Sequence, residues 1–237
     1  MEKTKKYSRA LAAAFPHTIP IMAGFLFLGI TYGIYMNVSG FGIVYTLLMS
    51  LFVFAGSMQF VGVDLMLNGF DPVQAFLMTL MINARHIFYG LAMLEKYRVP
   101  GAKKLYLIFG MCDESFSINC SAEPPEGVDR SLFMLFVTLL DQIYWVAGSV
   151  LGGLFGMLLK FNTEGLDFVM TAMFVVIFLE NWLKEKEHYC SVIGIGVSLV
   201  CLLIFGADKF MIPAMLAILG MLTLLRRPIE RKGAEAL

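Results

Sequence analysis

The chain has 237 residues with 18 basic and 18 acidic side chains, so it carries no net charge with which to hold a polyanion such as nucleic acid. Hydrophobic residues make up 59% and charged residues 15%, against about 45–50% and about 25% in a soluble domain. With a mean hydropathy of +0.77, the composition excludes an ordinary soluble domain and predicts an all-α, polytopic transmembrane helical bundle.

The N-terminal arm, 1–15, carries Lys3, Lys5, Lys6 and Arg9 ahead of an apolar stretch. That order resembles a secretory signal, but 19–36 is too long for its apolar core and no small-residue cleavage site follows. It is read as an uncleaved first span behind a basic cytoplasmic arm. About 20 apolar residues cross a bilayer, and runs near that length occur at 19–36, 41–67, 73–94, 105–120, 132–159, 166–183, 189–207 and 210–225. Turn-forming breaks separate them, among them Asn37-Val38-Ser39-Gly40, Asn68-Gly69-Phe70-Asp71-Pro72, Val99-Pro100-Gly101 and Glu123-Pro124-Pro125-Glu126-Gly127. The expectation is one membrane domain, 16–227, of about 6–8 segments, with a polar tail at 228–237. Cys112, Cys120, Cys190 and Cys201 form no C-x-x-C pair and read as reduced thiols.

Lysine and arginine should face the cytoplasm. The basic clusters are the N-terminal arm, Lys96/Arg98/Lys103/Lys104, Lys184/Lys186 and Arg226/Arg227/Arg231/Lys232. The acidic loop of Glu123, Glu126 and Asp129 is expected outside. Simple alternation of all runs would strand 96–104 outside. If the long, glycine-interrupted runs 41–67 and 132–159 are both broken and re-entrant, every basic cluster returns to the cytoplasm. Ala55-Gly56-Ser57 recurs as Ala147-Gly148-Ser149, and Gly69-Phe70-Asp71 as Gly165-Leu166-Asp167. The echo points to an internal repeat with discontinuous helices at matching positions.

Strongly polar groups inside apolar runs are the site candidates: Gln59, Asp64, Asn83, Arg85, His86, Asp113, Glu114, Asp141, Gln142 and Glu180. An arginine at the centre of a membrane helix costs roughly 2.5–3.5 kcal/mol. Arg85, Asp113, Glu114 and Asp141 taken singly would cost on the order of 10 kcal/mol together, comparable to the whole net stability of a protein, about 5–15 kcal/mol. They must pair, neutralise or meet water. Arg85 either locks a neighbouring acid or holds a substrate carboxylate. His86 shares a helical face with Asn83 and with Tyr89, as a proton-linked group or a satisfied structural histidine; Asp64 and Glu180 are candidates of the same kind. Gly56, Ser57 and Gln59 lie in a stretch that either unwinds to expose backbone or packs closely. Gly29-x-x-x-Gly33 and Gly148-x-x-x-Gly152-x-x-x-Gly156 read as helix–helix contacts.

A zwitterionic amino acid fits this inventory. Its carboxylate needs Arg85 or freed backbone N–H groups, its ammonium a carboxylate such as Asp113 or Asp141, and its side chain apolar walls. Neither H-E-x-x-H nor G-x-S-x-G is present, and the histidines are only His17, His86 and His188, so no metal, cofactor or intramembrane hydrolase is expected. Without G-x-x-x-x-G-K-[ST] the energy source is read as a proton gradient rather than ATP. A channel for a small solute or ion is the other reading.

The same residues carry a resemblance. Phe54-Ala55-Gly56-Ser57-Met58-Gln59-Phe60, Asn83-Ala84-Arg85-His86-Ile87-Phe88-Tyr89-Gly90, the Asp113-Glu114 pair and Gly165-Leu166-Asp167-Phe168 resemble the AzlC family of branched-chain amino-acid permeases, over about 16–227. The resemblance implies export of branched-chain amino acids from the inner membrane. It also implies a small multispanning AzlD-type partner subunit. By motif it points to Gln59, Asn83, Arg85, His86, Asp113 and Glu114 without assigning their roles.

Overall fold

The computed structural model describes residues 2–67, 69, 71–158, 175, 178–179, 182–183, 188–206 and 210–225. The regular elements among these are all helices. Glu180, the run 166–183, Gly165-Leu166-Asp167, the basic residues Lys184, Lys186, Arg226, Arg227, Arg231 and Lys232, and the tail 228–237 lie wholly or largely outside the described residues. The chain divides into two units, Met1–Leu166 and Asp167–Leu237.

The first unit is built on two long helices, α1 (Glu2–Val38) and α8 (Arg130–Leu158). At 1.5 Å per residue α1 extends about 55 Å and α8 about 44 Å, so both exceed the roughly 30 Å hydrocarbon core. The basic arm is thus the first turns of α1 rather than a separate segment. Pro16 and Pro20 sit inside that helix.

Successive contacts show that α1 and α8 run parallel. Lys6 pairs with Asp129 at 2.7 Å, His17 stacks edge-on against Phe133, Leu26 backbone lies against Gly148, and Asn37 lies against Gly156. Glycine makes this approach possible. A Cβ on Gly29 would lie 2.9 Å from the Trp145 carbonyl oxygen, and one on Gly33 or Gly152 would overlap the carbonyl oxygen of Ser149 or Ile30. The two glycine stripes are therefore a helix–helix seam, as their spacing predicts.

Four shorter helices that lie between these two in the sequence fold as two hairpins. Helices α2 (Ile43–Phe52) and α3 (Gly56–Leu67) form the first. Ile43 starts beside Gly153, and the α2 end reaches Gln142, whose Nε2 donates to the Leu51 carbonyl at 3.0 Å. Then α3 leaves from Trp145, passing Phe60 beside Tyr32 and Asp64 beside Tyr35. The hairpin enters and leaves at the C-terminal end of α1 and α8.

Helices α6 (Ala102–Phe109) and α7 (Asp113–Ser121) form the second, from the opposite end. Leu107 packs with Ala14, Met93, Tyr97, Phe133, Met134 and Val137, while Asn119 returns to bond Tyr97 and Thr138. Between the hairpins, α4 (Pro72–Ile82) and α5 (Arg85–Met93) make one apolar crossing, bent by 51° at Asn83-Ala84. Among the described residues α1 and α8 are each long and apolar enough to cross a membrane, and the bent pair counted as one span makes three.

This arrangement revises three sequence expectations. Run 41–67 is broken and folds back to the same end of α1 and α8, but 132–159 is not: its described part is the continuous α8, and its glycines serve the α1 seam. The second folded-back element is 105–120, broken at Gly110-Met111-Cys112. Consequently Ala147-Gly148-Ser149 lies inside a continuous helix and is no structural counterpart of Ala55-Gly56-Ser57 at a break. Lastly, the Lys6–Asp129 pair puts the acidic loop at the same end as the basic arm, not opposite it. Acidic residues contribute little to membrane orientation, which follows lysine and arginine counts.

A topology test follows. In a cysteine-free background, single cysteines at Lys6, Lys96 and Glu126 are expected to react with an impermeant maleimide from one face and a cysteine at Gly40 from the other. Labelling of Lys96 and Lys6 from opposite faces would exclude the re-entrant hairpin. The tie itself is acid-sensitive. The Lys6 hydrogen bond holds the Asp129 carboxyl below its ordinary range. Its contribution is present above the unfolded carboxyl pKa, about 3.9, and is lost as pH falls through the depressed value.

In the second unit, α9 (Tyr189–Phe205) and α10 (Met211–Leu224) pack together. Trp182 stacks on His188 with ring centroids 4.0 Å apart.

Candidate functional site

Three helix breaks meet beside the middle of α8. The hairpin tips touch through Phe54 and Phe109, with ring centroids 6.4 Å apart. The bent span joins them through Arg85, at the start of α5, whose Nη1 lies 2.7 Å from Oδ2 of Asp113, at the start of α7. Tyr89, one turn along α5, stacks on Phe116 of α7 at 4.3 Å. Non-helical backbone at membrane depth is tolerated only where protein or a water-filled cavity satisfies it.

Each break has local causes. At the first, Phe54 adopts φ of 43°, a left-handed conformation that is a genuine outlier for a bulky residue. Such strain concentrates at functional sites. At the second, Asn83 is a turn-favouring residue. Its carbonyl accepts from the His86 N–H at 2.9 Å and lies 3.2 Å from His86 Nδ1. At the third, Cys112 caps α7 in a capping box with Ser115, whose hydroxyl also donates to the Gly110 carbonyl at 3.1 Å. Gly110 is required there because a Cβ would overlap the Thr138 methyl.

The electrostatics follow from these ends. The starts of α3, α5 and α7 all lie at the breaks, and a helix start carries about half a positive charge. Asp113 and Glu114 fall in the first turn of α7, where that dipole favours carboxylates. Arg85 sits at a helix start, where the dipole opposes it, so Asp113 is its compensation. Asp113 Oδ1 is buried and has no hydrogen-bond partner among the described residues. The pair is neither sealed nor solvated: side-chain exposure is 42% for Arg85 and 38% for Asp113.

The candidates named from the sequence separate on this framework. Arg85, Asp113 and Glu114 come together, and the charge of Glu114 reaches Asp141. Gln59 is buried, and its Oε1 accepts from Trp145 Nε1 at 2.8 Å. Gly56 lets the same indole approach, since a Cβ would sit 3.3 Å from its Cη2. Ser57 lies in the first turn of α3. Asn83 and His86 hold the bend in α4–α5, and Asp64 accepts from the Tyr35 hydroxyl at 2.6 Å, one hairpin length from the tips. Asp113 and Glu114 begin a helix instead of standing at the middle of a span.

Sequence reasoning passed over Trp145 and Tyr106. The Tyr106 hydroxyl donates to Gln142 Oε1 at 2.5 Å, tying α6 to α8. Their signal was available: Tyr106 is one of the polar-headed aromatics in an apolar run, and such heads find partners when buried. Among the described residues no cluster of His, Cys, Asp or Glu has metal-binding geometry.

Broken, folded-back half-helices that meet at a charged pair beside a continuous pillar are the pattern of α-helical membrane transport proteins. Comparison with known proteins makes the class specific. The family model described as AzlC protein matches residues 20–159, and the chain belongs to the AzlC family. It is 59% identical over 231 residues to the Branched-chain amino acid transport protein AzlC of Bacillus subtilis, covering 98% of this chain and 91% of that one. An uncharacterized membrane protein of Haemophilus influenzae is 49% identical, over 95% of this chain and 93% of its own. The inner membrane protein YgaZ of Escherichia coli is 26% identical, over 83% and 80%. No solved structure matches.

Proposed function

We propose that this chain is the large subunit of an exporter of branched-chain amino acids in the inner membrane. It works with a small AzlD-type membrane subunit and draws on the proton gradient. Its 16–227 region acts as one transporter domain of about 6–8 membrane segments, with the N-terminus cytoplasmic. The name of the B. subtilis relative supports the substrate class, and gathering Lys6 and Lys96 at one end supports the orientation.

One observation carries the reading: the half-exposed Arg85–Asp113 pair at the meeting of three helix starts. A zwitterion replaces both halves of an ion pair at no change in net charge. Its carboxylate takes Arg85 and the freed N–H groups, and its ammonium takes Asp113, whose Oδ1 has no hydrogen-bond partner among the described residues. Phe54, Phe109 and Phe116 supply apolar surface beside it. In this cycle the pair closes when the site is empty and opens when it is filled. Binding to such a site selects on both charges, and apolar walls then favour an aliphatic side chain.

The test is transport in vesicles. Proteoliposomes holding this chain and the small subunit should exchange labelled leucine or valine across the membrane with saturation. Absence of exchange, or flux that never saturates, would sink the reading, the second in favour of a channel.

A further inference from the structure

Asp141 is left over once the transport site is assembled. It sits on α8, is fully buried, and neither carboxylate oxygen has a hydrogen bond among the described residues. The groups around it can be named by element. From α6 comes Tyr106, whose hydroxyl donates to Gln142 instead. From α7 come Cys112 and Glu114. On α8 the neighbouring Thr138 hydroxyl is spent on the Met134 carbonyl. The polar groups of α1 and α2 that bond to this part of α8 are spent elsewhere: Thr18 lies beside the Tyr144 hydroxyl, and the Leu51 carbonyl accepts from Gln142. Among the described residues, the charged group whose field reaches Asp141 is therefore another acid. Glu114 in turn faces Asp113 and Arg85, and Arg85 is committed to Asp113.

A carboxylate in this place is buried and has gained neither donor nor cation among the described residues, which only a neutral acid tolerates. Two facing acids also exchange protons as one coupled pair. The substrate offers no remedy, because a zwitterion that enters the Arg85–Asp113 pair brings no net charge. A charged Asp141 is thus incompatible with the α6–α7 tip packed on α8 through Tyr106 and Gly110, and a neutral one permits it.

We propose that Asp141, facing Glu114, is the protonation site through which the proton gradient acts on transport, separate from the substrate site at Arg85–Asp113. The proposal rests on the transport reading above. One proton adds to an Asp141 carboxylate oxygen from the more acidic side, the tip closes on α8, and the same O–H bond breaks toward the other side. Nothing is oxidised or reduced. Protonation selects the closed tip and deprotonation the open one, a shift between two states of the same element.

Asp141→Asn keeps the shape of the acid and removes the proton. In proteoliposomes with the small subunit it is expected still to exchange labelled leucine. Accumulation driven by an imposed pH gradient should fall to the level of protein-free vesicles, with no leucine-dependent proton movement by an entrapped pH dye. Glu114→Gln, which leaves Asp141 in place, should shift the pH profile of driven accumulation, and infrared spectra of wild type should hold a protonated-carboxyl band that Asp141→Asn lacks. Wild-type accumulation by Asp141→Asn, a pH profile unmoved in Glu114→Gln, a carboxyl band that survives in Asp141→Asn, or accumulation that follows a sodium gradient at constant pH would each overturn the proposal. A wild-type protein that exchanges no leucine removes the transport reading and this inference together. Exchange in wild type with driven accumulation intact in Asp141→Asn removes this inference alone.

Discussion

Replacing Arg85 by alanine is expected to lower leucine exchange by about 10- to 100-fold, because a hydrogen bond to a charged group is worth about 1.5–3 kcal/mol and about 1.4 kcal/mol is tenfold. The change also strands Asp113, whose partner at 2.7 Å is gone, so stability falls with it. A second variant separates the two effects. Arg85→Ala with Asp113→Ala removes both charges and should recover the midpoint of unfolding in detergent, since the uncompensated charge is what destabilises. Exchange should stay lost. Arg85→Lys keeps the charge without the planar fork and should fall between wild type and alanine. A double variant that transports as well as wild type would reduce Arg85 to a structural partner of Asp113. Full activity in Arg85→Lys would exclude bidentate carboxylate recognition.

Replacing Gly152 by leucine is the substitution with the largest expected effect on folding. A Cβ there overlaps the Ile30 carbonyl oxygen of α1. The obstruction is backbone, so no side-chain rotation relieves it. Overpacking costs about 1–3 kcal/mol, and a clash of two helix backbones belongs at the upper end. Because α2, α6 and α7 pack on α8 as well, displacing α8 from α1 disturbs the ground on which both hairpin tips rest. The measurement is the midpoint of detergent-induced unfolding, with gel-filtration yield as a second readout. Gly24→Ala on α1, with nothing within 4 Å of its Cβ, is the control and should be neutral or slightly stabilising, since alanine is the better helix former. A Gly152→Leu protein with an unchanged midpoint would mean that the seam is not what holds the two pillars together.

The polar candidates were legible in the sequence because solvation is a property of the residue and its neighbours along the chain. Arg85, Asp113, Glu114 and Asp141 stand out in apolar runs wherever those runs fold, and the fate of each depends on partners far away in sequence. Arg85 meets Asp113 across 28 positions, and the spacing of neither residue contains that fact. Gln59 looked equally available, yet its Oε1 accepts from Trp145, 86 residues away, and its Nε2 donates to Ser50. The glycine stripes were read correctly because helical spacing puts them on one face irrespective of the partner.

The topology shows the same division. That 41–67 is broken was legible, since Gly56 and its small neighbours interrupt it. The same reasoning failed for 132–159, because glycine serves equally for a break and for close packing, and only the presence of α1 against Gly148, Gly152 and Gly156 distinguishes them. By itself the sequence determined that this is a helical membrane protein with intramembrane charges, because hydropathy and the cost of a desolvated charge are local quantities. The tertiary structure alone decided which helices break, that α1 and α8 run parallel, and that Arg85 closes on Asp113 while Asp141 is left facing an acid. These are pairings between distant segments, and their free energy exists only once the chain has brought them together.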